Sequence, residues 1–328
     1  MLHYEDISKT EEIKGKFKDS WLGADYLTSH LEILRFSKIK QRFSSCKKAG
    51  ISFEDLISTL LILPIIGLKT IHSLTSNIGN TIGSASKDSY YRLLANQHIN
   101  WRGFLMSFVK EYLAKDLLFT SPKNPIKCLI FDDTDIPKSG KTIEGISKIF
   151  NHVSKTYYLG FKLLVAGYWN GSVFIPVDFS FHRESKTAKN KYGLTCKQRK
   201  KQKQIFRDTK TKAFKRYAEL NAKKTDMLIK MFSRICKRNI KVDYVLIDSW
   251  FTSISLIKKI RAINKTTHVI GMYKYNSKIT VSGEAISLKN LKTKGKKPKR
   301  CRKLNYYYHH HISDIDGVKV VVFISKRG

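Results

Sequence analysis

The chain reads as an α/β protein with a mixed sheet behind an all-helical N-terminal part, and three observations predict this. Two short apolar runs, Cys128-Leu-Ile-Phe131 and Val242-Asp-Tyr-Val-Leu-Ile247, each close on aspartate, at Asp132-Asp133-Thr134 and at Asp248-Ser249. Between them, two strand-like segments flank Asn170-Gly171, a dipeptide that supplies the positive φ angles of a tight hairpin turn. Ahead of residue 120 the apolar residues recur at helical spacing instead.

Taken in order, Ser52 followed by Asp55 marks a capping box before Leu56-Ile57 and Leu60-Leu61. Asn100 is placed to cap a helix from Trp101 to Leu118 with apolar positions Phe104, Leu105, Phe108, Val109 and Tyr112. Ser121-Pro-Lys-Asn-Pro125 interrupts that pattern and sets the expected domain boundary, with a helical domain over 1–124 and an α/β domain over 125–328. A first strand ends at Asp133, a polar loop rich in Lys and Gly follows, and then come hairpin arms at Phe161–Trp169 and Val173–His182. Pro176 cannot donate to a ladder, so the second arm belongs at a sheet edge. A basic region with helical spacing leads to a strand at 242–248, a helix at 253–263 and a strand at 268–273. A right-handed crossover joins these in the order 3-2-1-4-5, which brings Asp133 and Asp248 to one sheet edge. That is a ribonuclease H-like arrangement, with a β-rich insertion expected over about 274–328.

Charge bounds the partner. With 62 Lys and Arg against 26 Asp and Glu, the formal net charge is +36, a surplus that suits a polyanion. The longest apolar stretch, Leu60 to Leu68, is too short to span a bilayer and contains Pro64, so no membrane partner is expected. Met1-Leu-His-Tyr-Glu-Asp has neither the basic nor the apolar region of a signal peptide. Five scattered cysteines without paired spacing read as reduced thiols of a cytoplasmic protein, with no zinc site.

Arg183 to Arg238 holds twenty Lys or Arg and four acids, and Lys289 to Lys303 adds nine basic residues without an acid. Charge runs often mark no more than solvated faces. At this density phosphate contacts are the expected role, through Arg199, Lys200, Lys201 and Lys203 in the first run and Lys296, Lys297 and Arg300 in the second. Lys138 and Lys141, just past the first aspartates, are placed by position alone to approach a scissile phosphate. Neighbouring strands lie ~4.8 Å apart, so carboxylates at their exits need a cation between them. Oxygen ligands without Cys or His select hard ions, Mg²⁺ first and Mn²⁺ as an alternative. The plainer readings are a polar turn at Asp132–Asp135 and a helix cap at Asp248.

Phe131-Asp132-Asp133-Thr134-Asp135-Ile-Pro-Lys-Ser-Gly140-Lys, Asn151-His152-Val153, Gly160-Phe-Lys-Leu-Leu and Tyr244-Val-Leu-Ile-Asp248-Ser-Trp-Phe together resemble the DDE transposases of bacterial insertion sequences. The closer likeness is to the cut-and-paste branch with a β-rich insertion in its catalytic domain. The resemblance implies that Asp133, with Asp132 as its less favoured neighbour, and Asp248 are catalytic metal ligands. It further implies two Mg²⁺ ions, cleavage at the element's ends, and strand transfer into target DNA by a homodimer acting at the bacterial nucleoid. The family's third acid, a glutamate in a run that also carries Tyr, Arg and Lys, has no counterpart: the one glutamate after Asp248 is Glu284, in Val281-Ser-Gly-Glu-Ala. The expectation is a C-terminally truncated transposase that binds double-stranded DNA without completing transposition. A metal-dependent nuclease of the same fold and a non-catalytic DNA-binding remnant stand as alternatives.

Overall fold

The computed structural model describes residues 36–63, 68–77, 85–119, 126–184, 193–274, 276–281, 283–291 and 298–327. Lys296 and Lys297, and the proline-bearing segment 121–125, lie outside them. The chain forms two compact units: one from Met1–Lys123, Pro137–Phe161 and Arg183–Asn221, the other from Asn124–Ile136, Lys162–His182 and Ala222–Gly328. Two segments that sequence reading assigned to the α/β part therefore group with the N-terminal helices.

The first unit contains α1 (Phe36–Ser44), α2 (Phe53–Ile62), α3 (Ile71–Asn77), α4 (Lys87–Ala95) and α5 (Trp101–Phe119). Ser52 Oγ accepts from Asp55 N at 3.0 Å to start α2, and Asn100 Oδ1 accepts from Gly103 N at 3.1 Å to start α5. Each side chain satisfies an amide that the first helical turn leaves without a partner. The buried faces meet in a core of Phe36, Ile39, Phe53, Leu56, Tyr90 and Phe104. Phe104 is its hub, set edge-on to Phe43 and Phe108 at centroid distances of 5.2 and 5.1 Å.

Strand β2 (Ser147–Asn151) also belongs here, antiparallel to the first part of β3 (Thr156–Trp169), with Ser147 opposite Gly160 and Asn151 opposite Thr156. The sequence reading had a loop at this point. Ile146 and Ile149 are fully buried, and Asn151 Oδ1 accepts from Val153 N and Ser154 N to form the turn, an interaction its short side chain offers without a glycine.

Helices α6 (Cys196–Lys200) and α7 (Lys212–Ala218) complete the unit. Thr195 and Gln198 form a capping box on α6, and Thr211 caps α7. Polar bonds bind this segment to its surroundings. Gln202, almost fully buried, donates to Ile146 O at 2.7 Å and accepts from Gly145 N at 3.1 Å. Arg102 pairs with Glu219, Arg216 donates to Ile99 O, and Ala213 N donates to Gln97 O.

In the second unit a sheet runs β4 (Phe174–His182), β3, β1 (Cys128–Pro137), β5 (Tyr244–Ile247), β6 (His268–Gly271). β1 pairs parallel with β5 and β5 parallel with β6, while β3 and β4 are antiparallel, so the sheet is mixed. Asn170 makes the hairpin turn, accepting from Ser172 N and Val173 N at 3.0 and 2.8 Å, and Gly171 supplies φ +100°. α8 (Lys224–Cys236) and α9 (Ile254–Ile263) follow, with Ser253 Oγ capping α9 at Leu256 N. Met227, Leu228, Met231, Phe232 and Ile235 of α8 are fully buried, as are Leu129, Phe131, Leu164 and Val245 of the strands.

A second sheet of the same unit orders β11 (Val318–Arg327), β10 (Tyr306–Ile315), β7 (Lys278–Val281), β8 (Glu284–Ser287), with β9 (Lys299–Cys301) paired to β10. The short α10 (Leu288–Leu291) follows β8. Asp316 and Gly317, at φ 51° and 75°, turn the long β10–β11 hairpin. Its core is small, around Ile279 and Leu288.

Glu144 carries much of the polar bonding of the first unit. It accepts from both terminal nitrogens of Arg207 and from Ile205 N at 2.9 Å. Burial pushes this carboxyl's pKa up, but the bonds from Arg207 and Ile205 outweigh it and hold it below its ordinary value. The stabilisation is thus complete above the ordinary carboxylate range and is lost as pH falls through the lowered folded value. Glu144→Gln is expected to reduce stability by about 1–3 kcal/mol at neutral pH. In urea unfolding, the gap to the parent should shrink once pH falls below about 4; an unchanged gap in acid would show that the charge on Glu144 contributes nothing.

Candidate active site

The two aspartate-bearing strands are neighbours. β1 and β5 pair with Cys128 opposite Tyr244 and Phe131 opposite Ile247. The register is pinned at the start of both strands, where Lys127 N donates to Asp243 Oδ2 at 2.9 Å and Asp243 N donates to Lys127 O at 2.8 Å. Carried one residue beyond Phe131 and Ile247, this register sets Asp132 level with Asp248, and Asp133 one step further on. β1 itself does not stop at Asp133, as the sequence suggested, but runs to Pro137. The cause is β3, which flanks β1 on its other side and keeps its backbone paired after β5 has ended.

Alternation then separates the two aspartates of β1. Leu129, Phe131, Asp133 and Asp135 share one face, Cys128, Ile130, Asp132 and Thr134 the other, and the burial pattern follows: Leu129 and Phe131 are buried, Asp132 and Thr134 exposed. The face that holds Asp133 is densely charged. Lys224, the first residue of α8, pairs with Asp133, and Lys162 of β3 pairs with Asp135. His182, opposite Lys162 across the β3–β4 ladder, lies 3.1 Å from Ala222 O through Nδ1, and Arg234 of α8 donates to the buried Asp178 at 2.8 Å. A lysine in the first turn opposes the helix dipole, and the bond to Asp133 offsets that cost. Lys162 and Asp178 are 7% and 2% exposed, a depth at which charges persist only when paired.

Asp248 lies just past β5. Its Oδ1 accepts from Trp250 N at 3.0 Å and Phe251 N at 3.2 Å, while its carbonyl accepts from Thr252 Oγ1 at 2.7 Å. These bonds hold the carboxylate on a rigid turn ahead of α9. The helix cap weighed from sequence at Asp248 falls instead to Ser253, while Asp248 closes the turn before it, and that turn orients the acid. Asp132 Oδ1 accepts from Asp133 N at 2.8 Å. Glu284 is an exposed residue at the start of β8. Among the described residues, no group of three or more His, Cys, Asp or Glu side chains is gathered as a metal site.

The basic residues named from sequence fall in several places. Lys138 and Lys141 are exposed in the first unit, Lys138 N donating to Leu159 O. Arg199 is half-buried on α6, with Lys200, Lys201 and Lys203 exposed on and after that helix. Arg300, on β9, sets its guanidinium 5.7 Å from the Tyr307 ring centroid. Sequence reasoning missed Lys224, because nothing local links it to an aspartate 91 residues earlier. It also passed over Trp250, 75% exposed beside Asp248, and Arg183, which follows directly on β4. The signal for Trp250 was its adjacency to the strand-terminal acid.

The mixed sheet thus carries aspartates on and just beyond two neighbouring parallel strands, within β1 and directly after β5. The family model described as DDE superfamily endonuclease matches residues 56–305, and the chain belongs to that family. No curated protein is matched by the sequence. Among solved structures, the piggyBac transposase synaptic complex with hairpin DNA, seen by cryo-EM, is similar at 12% identity and a TM-score of 0.33. That alignment covers 90% of this chain and 58% of the other, so the chain spans little more than half the length of the transposase it matches. Among the described residues no helix is long and apolar enough to cross a membrane.

The Lys224–Asp133 pair makes a test that needs no DNA. Lys224→Met leaves the Asp133 carboxylate without its ammonium, and a loss of about 1–3 kcal/mol is expected. Mn²⁺ should recover part of that loss, raising the melting temperature of the variant more than that of the parent, because the dication takes up the charge the ammonium neutralised. Equal shifts in both would place Asp133 out of a cation's reach.

Proposed function

We propose that the chain is a transposase of the insertion-sequence class, whose members cut DNA at the element's end and join the freed 3′ end to a target, on a ribonuclease H-like sheet. The observation that carries this reading is the parallel pairing of β1 with β5, whose register, carried one residue on, supports Asp132 level with Asp248 and Asp133 next to it along β1. Membership of the endonuclease family and the charge of +36 support it. In open α/β sheets the carboxyl ends of the strands are where ligands are bound.

The donor set suits a hard dication. It offers carboxylate oxygens, one of which already balances the Lys224 ammonium, and no sulfur. Asp248 and the β1 aspartates are the proposed ligands. Asp133 is the one favoured by the Asp-Thr motif and Asp132 the one favoured by the register with Asp248. A bound Mg²⁺ or Mn²⁺ supplies Lewis acidity toward a phosphodiester. The protein's own contribution is orientation. Amides of Trp250 and Phe251 fix the Asp248 carboxylate, the pinned register fixes the height of the β1 acids, and Lys224 neutralises Asp133 until a cation arrives. Lys138, Lys141, Arg199, Lys200, Lys201, Lys203 and Arg300 are the proposed phosphate contacts, for a double-stranded DNA partner held by a homodimer.

Magnesium-dependent cleavage of an end-bearing DNA by the parent chain, and by Asp132→Asn, Asp133→Asn and Asp248→Asn, tests the reading. Asp248→Asn should lose at least about a hundredfold, since losing ~2.7 kcal/mol of metal stabilisation costs that much in rate. Of the two β1 variants, the one that falls with it identifies the other ligand. Full activity in Asp248→Asn would sink the site. Strand-transfer products from a pre-cut end separate a transposase from a nuclease, which yields none. DNA affinity should fall steeply on a log–log plot against salt, by ~0.9 per phosphate contacted; a flat plot would remove the phosphate contacts.

A further inference from the structure

The first unit holds a cleft of about 690 Å³, and three of the phosphate contacts proposed above, Arg199, Lys200 and Lys203, lie on its wall. Arg183, Arg199, Lys200, Lys203, Tyr217 and Asn221 line it, with Cys196 at the start of α6 and Glu144 also on its wall. Glu144 binds Arg207 through both oxygens and also attracts Arg183, so this one carboxylate offsets only part of the charge of the four cations. Arg183 is held in place, its Nε donating to Asn221 Oδ1 at 2.8 Å, and Arg199 is steadied by Cys196, to whose sulfur Nη2 donates at 3.3 Å. Lys200 and Lys203 are exposed, so charge extends from the half-buried arginines outward along the cleft.

We propose that this cleft takes the sugar-phosphate backbone of an unpaired DNA strand, with successive phosphates on Arg183, Arg199, Lys200 and Lys203. The inference rests on the DNA-cutting reading above. Cations spread along an open trough suit a run of phosphates better than a single anion. The volume is that of sites filling with small ligands, ~300–1,000 Å³. The smaller cross-section of one strand, against a duplex whose major groove alone is ~12 Å wide, is the reason an unpaired strand is assigned to it. The Arg207 guanidinium lies 4.8 Å from the Tyr217 ring centroid and covers one of its faces. Contacts from the four cations go to backbone phosphates, which carry no sequence information.

Cys196 reports on occupancy. It is exposed, and the hydrogen bond from Arg199 lowers its thiol pKa, whereas burial pushes the Cys46, Cys128 and Cys236 thiols up. Iodoacetamide should therefore label Cys196 ahead of these three, which peptide mapping can follow. A short fluorescein-labelled single strand, at a concentration that anisotropy shows to be saturating, is expected to slow Cys196 labelling several-fold. The matching duplex should slow it less, and inorganic phosphate at the same phosphate concentration should not slow it. Lys200→Gln with Lys203→Gln, both exposed positions, should reduce the salt slope of single-strand binding by ~1.4, at ~0.7 for each phosphate no longer neutralised. Unchanged labelling with the single strand bound, or equal protection by the duplex, would each overturn the proposal while leaving the endonuclease reading intact; an unchanged slope in the double variant would overturn it and also remove Lys200 and Lys203 from the phosphate contacts. Failure to bind any DNA would overturn both.

Discussion

The parallel pairing of β1 with β5 is the constraint on which the second unit depends. Its strength is apolar: Leu129, Phe131, Val245 and Ile247 are buried on one face, each contributing about 1.5–3 kcal/mol by leaving water. Its accuracy is polar, from the reciprocal bonds between Lys127 and Asp243 at the strand starts. A slip of one residue would turn every side chain of β5 to the other face and bury Tyr244 and Leu246 in place of Val245 and Ile247. The same slip would move Asp248 off the level of Asp132. Core packing and the height of the acids are thus fixed by one register.

A chain of this charge must place its few acids with care, since like charges in a compact state repel. Asp133, Asp135, Glu144, Asp178 and Glu219 are each paired with a lysine or arginine, and four of the five pairs join residues more than fifty positions apart. These are Asp133–Lys224, Glu144–Arg207, Asp178–Arg234 and Glu219–Arg102, and they bind the basic region to earlier parts of the chain within each unit. Most of the other described lysines and arginines stay at the surface, where a polyanion can reach them. Internal pairing and outward surplus are two results of the same composition.

Asp248 is fixed by the backbone around it. A carboxylate that accepts two backbone amides cannot rotate freely, so the turn it closes also sets the direction of its oxygens. Asp133 is arranged differently, its orientation set by a lysine from another element. One acid is held by local backbone and the other by a tertiary ion pair, and this difference decided which was readable from sequence.

The sequence by itself determined the elements whose causes are local. Asn170-Gly171 specified its turn, Ser52 and Asn100 their caps, and the runs before Asp132 and Asp248 their strands, because turn chemistry, capping and alternation act over a few residues. Only tertiary structure decided that β1 continues past Asp133, since a strand lasts as long as a neighbour offers backbone to pair, and β3 does so here. It decided that residues 137–161 and 183–221 group with the N-terminal helices, through bonds from Gln202, Arg102 and Arg216 that no periodicity announces. It also placed Lys224 on Asp133 and Arg183 beside Arg199, because ion pairs and clefts join residues distant along the chain and leave no pattern within it.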